Sequence, residues 1–183
     1  MNTIAYILIA GISLTSSMFA TAKGTRDGLI VYGENFSFTV SEPLGWHGDT
    51  DRAESFGANI VFYRASEIAG KSSALIRIRI NTKTDENTAA DLKADMDGYR
   101  KQYPKIQFHK VEVSHPKYAV FSKLFVVPGA FYEYVVYLNP GPKVPYLFSA
   151  SMNTQKRRAI PDELAAFQQV VASISFLTAN VKW

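Results

Sequence analysis

Apolar and polar residues alternate along much of the chain, and this period of two is the pattern of half-buried β-strands. The alternation runs through residues 35–40 and 73–82, and apolar-rich runs that favour strands occupy 59–65, 106–114, 118–127, 131–138 and 144–152. Turn-forming residues separate the later runs, among them Pro128-Gly129 and Asn139-Pro140-Gly141-Pro142. Because short turns join neighbouring antiparallel strands, these runs predict a meander. The segment 46–56 is polar and is expected to be a loop.

Two segments have their apolar residues at helical spacing instead. The first has steps of four, three and four, follows candidate capping residues at 85–88, and ends at Pro104. The second opens at Pro161 with two acidic residues behind it. The two apolar stripes are Leu92, Met96, Tyr99 and Tyr103, and Leu164, Phe167, Val171 and Ile174. The order β-β-β-α-β-β-β-β-α predicts an α+β fold, in which helices pack on a largely antiparallel sheet.

The N-terminus has the organisation of a secretory signal peptide. Residues 4–14 form an uncharged apolar run, and Ala20-Thr21-Ala22 offers the small-x-small pattern that predicts cleavage after Ala22. No Lys or Arg precedes the run, so an uncleaved membrane anchor is the competing interpretation. The run is shorter than the ~20 residues of a spanning helix, which favours a signal peptide and no stable membrane span after its removal. We therefore expect a periplasmic protein, with secretion as the second possibility and an anchored form as the third.

Composition limits the other possibilities. The chain has 183 residues, of which 47% are hydrophobic, and 20 Lys plus Arg against 16 Asp plus Glu give a net charge of +4. This is too apolar for a disordered chain, and the absence of cysteine excludes disulfides and thiol chemistry. The densest basic run, Lys156-Arg157-Arg158, is short, and nucleic acid is not an expected partner. We predict a signal peptide at 1–22, a lead-in with a possible short strand at 23–34, one domain at 35–177 and a tail at 178–183.

Motifs for catalysis are weak. The segment 65–72 fits a permissive phosphate-loop pattern, but the residues after it predict a strand where such a loop needs a helix. Ser114 and His115 are adjacent, so in an extended chain they point to opposite sides. His47, Asp49 and Asp51 could hold a metal ion in the 46–54 loop, yet they form no closed ligand set. No catalytic residue and no cofactor are predicted.

One face of the predicted sheet carries a mixture of charges and hydroxyls. In the strand at 74–80, Arg77 and Arg79 lie opposite the isoleucines that alternate with them. If the strands stack in register, this face would form a concave surface for a ligand or partner. The alternative is an ion pair on an ordinary half-solvated face. The residues assigned to the surface are Arg77, Arg79, Ser122, Glu133, Ser149 and Ser151.

Three segments together resemble the PsbP/Mog-like fold family. They are a strand followed by Pro43-Leu44-Gly45-Trp46, the aromatic run 131–137, and a final helix ending Val171-Ala172-Ser173-Ile174-Ser175-Phe176. The family includes the photosystem protein PsbP, a Ran-binding nuclear-import factor and periplasmic DcrB-type proteins of bacteria. The resemblance covers about residues 33–177 and implies an α/β/α sandwich.

The same resemblance implies an accessory or binding role and transfers no catalytic residue. We therefore expect an exported, non-enzymatic protein that binds an envelope or secreted protein or a small envelope ligand. The alternatives are a metal-dependent enzyme using the 46–54 loop and a secretion-linked immunity or chaperone protein.

Overall fold

The computed structural model describes residues 28–84 and 88–177. The predicted signal peptide, the start of the lead-in, residues 85–87 of the capping segment and the tail at 178–183 lie outside the described residues. Within the described ranges the chain forms ten strands, two α-helices and two short 3-10 helices at Ala53–Phe56 and Ala69–Lys71. The strands and helices are β1 (Leu29–Tyr32), β2 (Ser37–Val40), β3 (Trp46–Asp49), β4 (Ile60–Arg64), β5 (Ala74–Thr82), α1 (Thr88–Gln102), β6 (Gln107–His109), β7 (Ala119–Val127), β8 (Phe131–Asn139), β9 (Tyr146–Gln155), α2 (Pro161–Ser173) and β10 (Ser175–Leu177).

The strands form two antiparallel sheets. The large sheet has the order β3-β4-β5-β9-β8-β7-β6, and the small sheet has the order β1-β2-β10. The run from β7 to β9 is the predicted meander, whose strands pair with their neighbours in sequence. The α+β class and the helix-flanked antiparallel sheet expected from the sequence are confirmed. In the described ranges, no helix combines the length and apolar character that crossing a bilayer requires.

Each face of the large sheet has its own apolar core. One face packs against α2 and the small sheet, with Phe38, Phe148 and Phe167 at its centre. On the other face, Leu92 of α1 packs against Phe125 and Val135. The 3-10 helix Ala53–Phe56 covers the β4 side of that same face. The result is a three-layer sandwich, in which α1 covers only part of its side of the sheet.

Three predicted elements differ from the structure. The 46–56 segment, predicted as a loop, contains the edge strand β3, which pairs with β4 and buries Trp46. The strand has four residues, too few to show a clear alternation of apolar and polar positions. The predicted strand 106–114 is ordered as a strand only at Gln107–His109. The final helix ends at Ser173, and Ser175–Leu177 pairs with β2 instead of continuing the helix.

Candidate ligand-binding cleft

An open cleft of about 510 Å³ lies where α1 leaves the large sheet uncovered. Its floor is formed by β5, β9 and β8, one wall by α1, and the opposite side by Phe56 and Gly57 at the end of the first 3-10 helix. The volume is in the range of small-molecule sites. Unlike most such sites, this one is lined mainly by charged groups, hydroxyls and amides, so it suits a polar occupant.

A partly buried ion pair lies at one end of the floor. Arg77 lies opposite Ser151 in the register of β5 and β9, and it reaches diagonally across β9 to pair with Glu133 of β8. Its Nε donates to Ser151 Oγ at 3.2 Å. The Tyr99 hydroxyl of α1 donates to the second oxygen of Glu133 at 2.9 Å. Glu133 is only 3% exposed and both its oxygens accept hydrogen bonds. It therefore connects α1 to the sheet and is not available to a ligand.

The second arginine of β5 has a different environment. Arg79 is exposed, lines the cleft opposite Ser149 and makes no ion pair or hydrogen bond with the residues that the structure describes. Ser149 Oγ accepts from the Asn81 amide at 3.0 Å. Arg79 therefore leaves a full positive charge on the cleft floor, beside a hydroxyl and an amide.

The α1 wall contributes two carboxylates, Asp91 and Asp95, one helical turn apart. Asp91 Oδ1 accepts from Thr84 Oγ1 at 2.6 Å, whereas its Oδ2 is buried and no described residue donates a hydrogen bond to it. Asp95 accepts from the Tyr137 hydroxyl of β8. Neither aspartate has an ion pair with the described residues, although the charge of Arg77 acts on the Asp95 carboxyl.

Burial dominates the acid-base properties of these groups. It raises the pKa of the Asp95 carboxyl; the hydrogen bond from Tyr137 opposes this rise, and the charge of Glu133 adds to it. Burial and the charge of Asp95 raise the pKa of the Tyr137 phenol, and burial and the charge of Glu133 raise that of Tyr99. Both phenols are therefore neutral hydrogen-bond donors at physiological pH.

Five of the six residues predicted for the mixed face line this cleft: Arg77, Arg79, Glu133, Ser149 and Ser151. The assignment of Ser122 to the same face is wrong. Ser122 lies opposite Val136, on the α2 side of the sheet, and its hydroxyl donates to the carbonyl of Val111 at 2.8 Å. The side chains of β7 alternate as predicted, but the register with β8 places the side that carries Ser122 against the core on the α2 side.

The 46–54 segment lies on the edge strand β3 and the turn after it. The Asp49 carboxylate accepts from the Tyr63 hydroxyl and from the Arg52 backbone N–H, both at 2.9 Å. His47 contacts Tyr63 edge-on and lies 3.7 Å from a Glu42 oxygen, while Asp51 is exposed. Among the residues that the structure describes, no three His, Asp or Glu side chains are grouped to hold a metal ion.

The cleft holds hydroxyls and carboxylates, and none of the three histidines of the chain lines it. Ser149 and Ser151 therefore have no imidazole base beside them, and nucleophilic catalysis of the Ser-His kind does not fit this site. The arrangement is suited to binding through charge and hydrogen bonds.

Sequence reasoning missed the α1 wall. No role was assigned to Asp91 or Asp95 from the sequence. Within the described ranges Asp97 pairs with Lys93 and Arg100, whereas these two aspartates have no ion pair. The apolar stripe of α1 did indicate which side faces the sheet, and Asp95 lies one residue before Met96 of that stripe. The stripe therefore indicates that Asp95 lies near the side of α1 that faces the sheet. It does not indicate which strands lie opposite that side.

Comparison with solved structures identifies a shared fold. The solution structure of cyanobacterial PsbP (CyanoP) from Synechocystis sp. PCC 6803 aligns with a TM-score of 0.50 and 15% identity, over 76% of this chain and 86% of that chain. No protein-family model and no curated protein sequence matches. The chain thus has a PsbP-like fold, as the sequence resemblance implied. At this identity the likeness concerns the fold alone.

Proposed function

We propose that this chain is an exported, non-enzymatic accessory protein that binds a small polar ligand of the cell envelope in the cleft beside α1. A kinship with the periplasmic DcrB-type proteins of bacteria belongs to the same proposal. The observation that carries the binding role is the cleft itself, in which Arg79, Asp91 and Asp95 carry charges without an ion-pair partner among the described residues.

The position of these charges favours a small molecule over a protein partner. They lie between α1 and the floor strands, where a flat protein surface would touch only the rim. The alternative of a metal-dependent enzyme using the 46–54 loop has less support, because Tyr63 and Arg52 already bind the Asp49 carboxylate.

A cleft-filling variant tests this function. Ala94 is an exposed residue of α1 that lines the cleft, so Ala94→Trp places a ring in the cavity without disturbing either core. Lys101→Trp, on an exposed position of the same helix outside the cleft, is the matched control. Each protein is mixed with the low-molecular-weight fraction of an envelope extract and passed through gel filtration, and retained compounds are identified by mass spectrometry.

The native chain and the Lys101→Trp control should retain a compound in about stoichiometric amount. Ala94→Trp should retain at least tenfold less while melting at about the same temperature. Equal retention by Ala94→Trp, or no retention by the native chain, would contradict the proposed function.

A further inference from the structure

The charges in the cleft define the class of ligand. Five charged side chains line it, and the pair of Arg77 with Glu133 neutralises two of them. One cation, Arg79, and two carboxylates, Asp91 and Asp95, remain. None of these three has an ion pair with a residue of the described ranges.

These opposite charges lie in the same part of the cleft. Arg79 is on the β5 floor, and both aspartates are on the α1 wall. The Tyr137 phenol is close enough to all three that each of their charges acts on its pKa. One small molecule can therefore approach Arg79 and the aspartates at the same time.

Neither a simple anion nor a simple cation suits this arrangement. An anion at Arg79 would lie near two carboxylates, and a cation at the aspartates would leave Arg79 unpaired beside it. Because the cleft is partly enclosed, these interactions are stronger than in bulk water. A ligand that leaves a polar group of the site unpaired is disfavoured.

We infer that the cleft binds a small zwitterion whose carboxylate contacts Arg79 and whose ammonium group contacts Asp91 and Asp95. This inference rests on the proposed function and names its ligand class. Phe56, which lines the cleft, offers apolar contact to a short methylene chain between the ligand's two charges.

A series of ω-amino acids measures both the charge requirement and the spacing. Glycine, β-alanine, 4-aminobutyrate, 5-aminovalerate and 6-aminohexanoate are titrated calorimetrically into the protein recovered from an exporting host. We expect one chain length to bind best. Its N-acetyl derivative and its amide should each bind at least tenfold more weakly, because each lacks one of the two charges.

Variants locate the binding. Arg79→Gln and Asp95→Asn should each weaken the best member at least tenfold, with melting temperatures close to that of the native chain. Asp97→Asn and Arg100→Gln, which change charges on the outer side of α1, should bind within twofold of the native chain. If Asp95→Asn alone fails to fold, Asp91→Asn and the N-acetyl ligand test the same contact.

Three results would overturn the inference: no binding by any member of the series, equal binding of the N-acetyl or amide form, or unchanged binding by Arg79→Gln. Such a result would not remove the proposed function. If the native chain still retained an extract compound that Ala94→Trp did not retain, the cleft would bind a ligand of another class.

Discussion

At the scale of single residues, the two arginines of β5 have separate roles although they are two positions apart on one face. Arg77 is paired with the buried Glu133 and bound to Ser151, whereas Arg79 is exposed and without such partners in the described ranges. Removing Arg77 leaves a buried carboxylate whose remaining hydrogen bond from a described residue is the one from Tyr99. The same strand thus combines a structural cation with one that is available to a ligand.

We expect Arg77→Ala to lower the free energy of unfolding by about 1–3 kcal/mol, because the buried Glu133 loses its counter-charge. Arg79→Ala is the matched control and should change it by less than about 0.5 kcal/mol. Urea denaturation of both variants measures the difference. Equal losses in the two variants would show that the Arg77–Glu133 pair does not stabilise the fold.

His115 connects two distant parts of the chain through its neutral form. Its Nδ1 accepts from the backbone N–H groups of Lys117 and Tyr118, so Nε2 carries the proton and donates to the Ile174 carbonyl at 2.9 Å. The ring stacks on Tyr118 with 4.3 Å between centroids. Burial lowers the pKa of His115; the hydrogen bond to Ile174 acts against this, and the charge of Lys117 adds to it.

This arrangement predicts a loss of stability in mild acid. Because the pKa of His115 is lower in the folded state, the unfolded chain takes up the proton first as the pH falls below about 6.5. The free energy of unfolding should therefore decrease from about pH 6.5 downward, until the folded-state pKa is passed. His115→Gln should cost about 1–2 kcal/mol at pH 8 and show a shallower fall, because the side chain that titrates is gone.

Denaturation curves between pH 8 and pH 5 check this prediction. His109→Gln, at an exposed position of β6, is the control and should keep the native pH profile. A native-like slope in His115→Gln would assign the titration to another group.

At the scale of elements, the start of α2 depends on one buried carboxylate. Glu163 is 1% exposed, accepts two hydrogen bonds from Arg157 at 2.8 and 2.6 Å, and accepts from the Ile160 backbone N–H at 3.0 Å. Burial acts to raise the pKa of Glu163, but the hydrogen bonds from Arg157 and Ile160 outweigh it, and the pKa is lowered. The ion pair therefore also caps the helix that carries much of the main core.

Glu163→Ala should lower the free energy of unfolding by about 2–3 kcal/mol at neutral pH, because the helix loses its cap and Arg157 its partner. Since the pKa is lower in the folded state, the contribution is complete above the usual carboxyl pKa of about 4.3 and is lost as the pH falls through the folded-state value. Asp162→Asn removes only a mostly exposed pair with Arg64 and should cost less than about 0.5 kcal/mol. If Glu163→Ala still had a lower free energy of unfolding than Asp162→Asn at pH 2, the stabilisation would not come from the ionised carboxylate of Glu163.

At the scale of the whole molecule, export is the first prediction to check. The apolar run followed by Ala20-Thr21-Ala22 predicts that the first 22 residues are removed on export. Intact-mass measurement of protein from a periplasmic fraction should give a chain that begins at Lys23. A species that retains Met1 would favour the membrane-anchored alternative.

The second prediction at this scale concerns metals. Apolar clusters on both faces of the large sheet provide the packing that stabilises a domain of this size. We therefore expect a chelator to leave the melting temperature unchanged within about one degree. A loss of ~1 kcal/mol at this size shifts melting by a few degrees, so calorimetry detects it. A decrease reversed by added metal would support the metal-dependent alternative.

Local sequence patterns were enough to predict the fold class and the grouping of side chains within each strand and helix. Alternation in 74–80 places Arg77 and Arg79 on one side of their strand, and alternation in 131–138 separates Glu133 from Tyr134, because successive side chains of a strand point to opposite faces. The stripe of α1 likewise indicated the side that faces the sheet. These features depend on neighbours in the chain, which the sequence contains.

Which part of the sheet is open, and which charges are paired there, depends on contacts between segments that are distant in the chain. Ser122 was assigned to the cleft face because of its hydroxyl, but it lies on the α2 side because the register of β7 with β8 places it opposite Val136. Arg77 differs from Arg79 because it pairs with Glu133, which is 56 residues away in the chain. Glu133 is in turn bound by Tyr99, which is 34 residues from it. Ser175–Leu177 forms a strand because it pairs with β2, on the side of β2 opposite β1. The periodic pattern of a strand does not say which distant segment pairs with it. The partner and the register become known only from the folded chain.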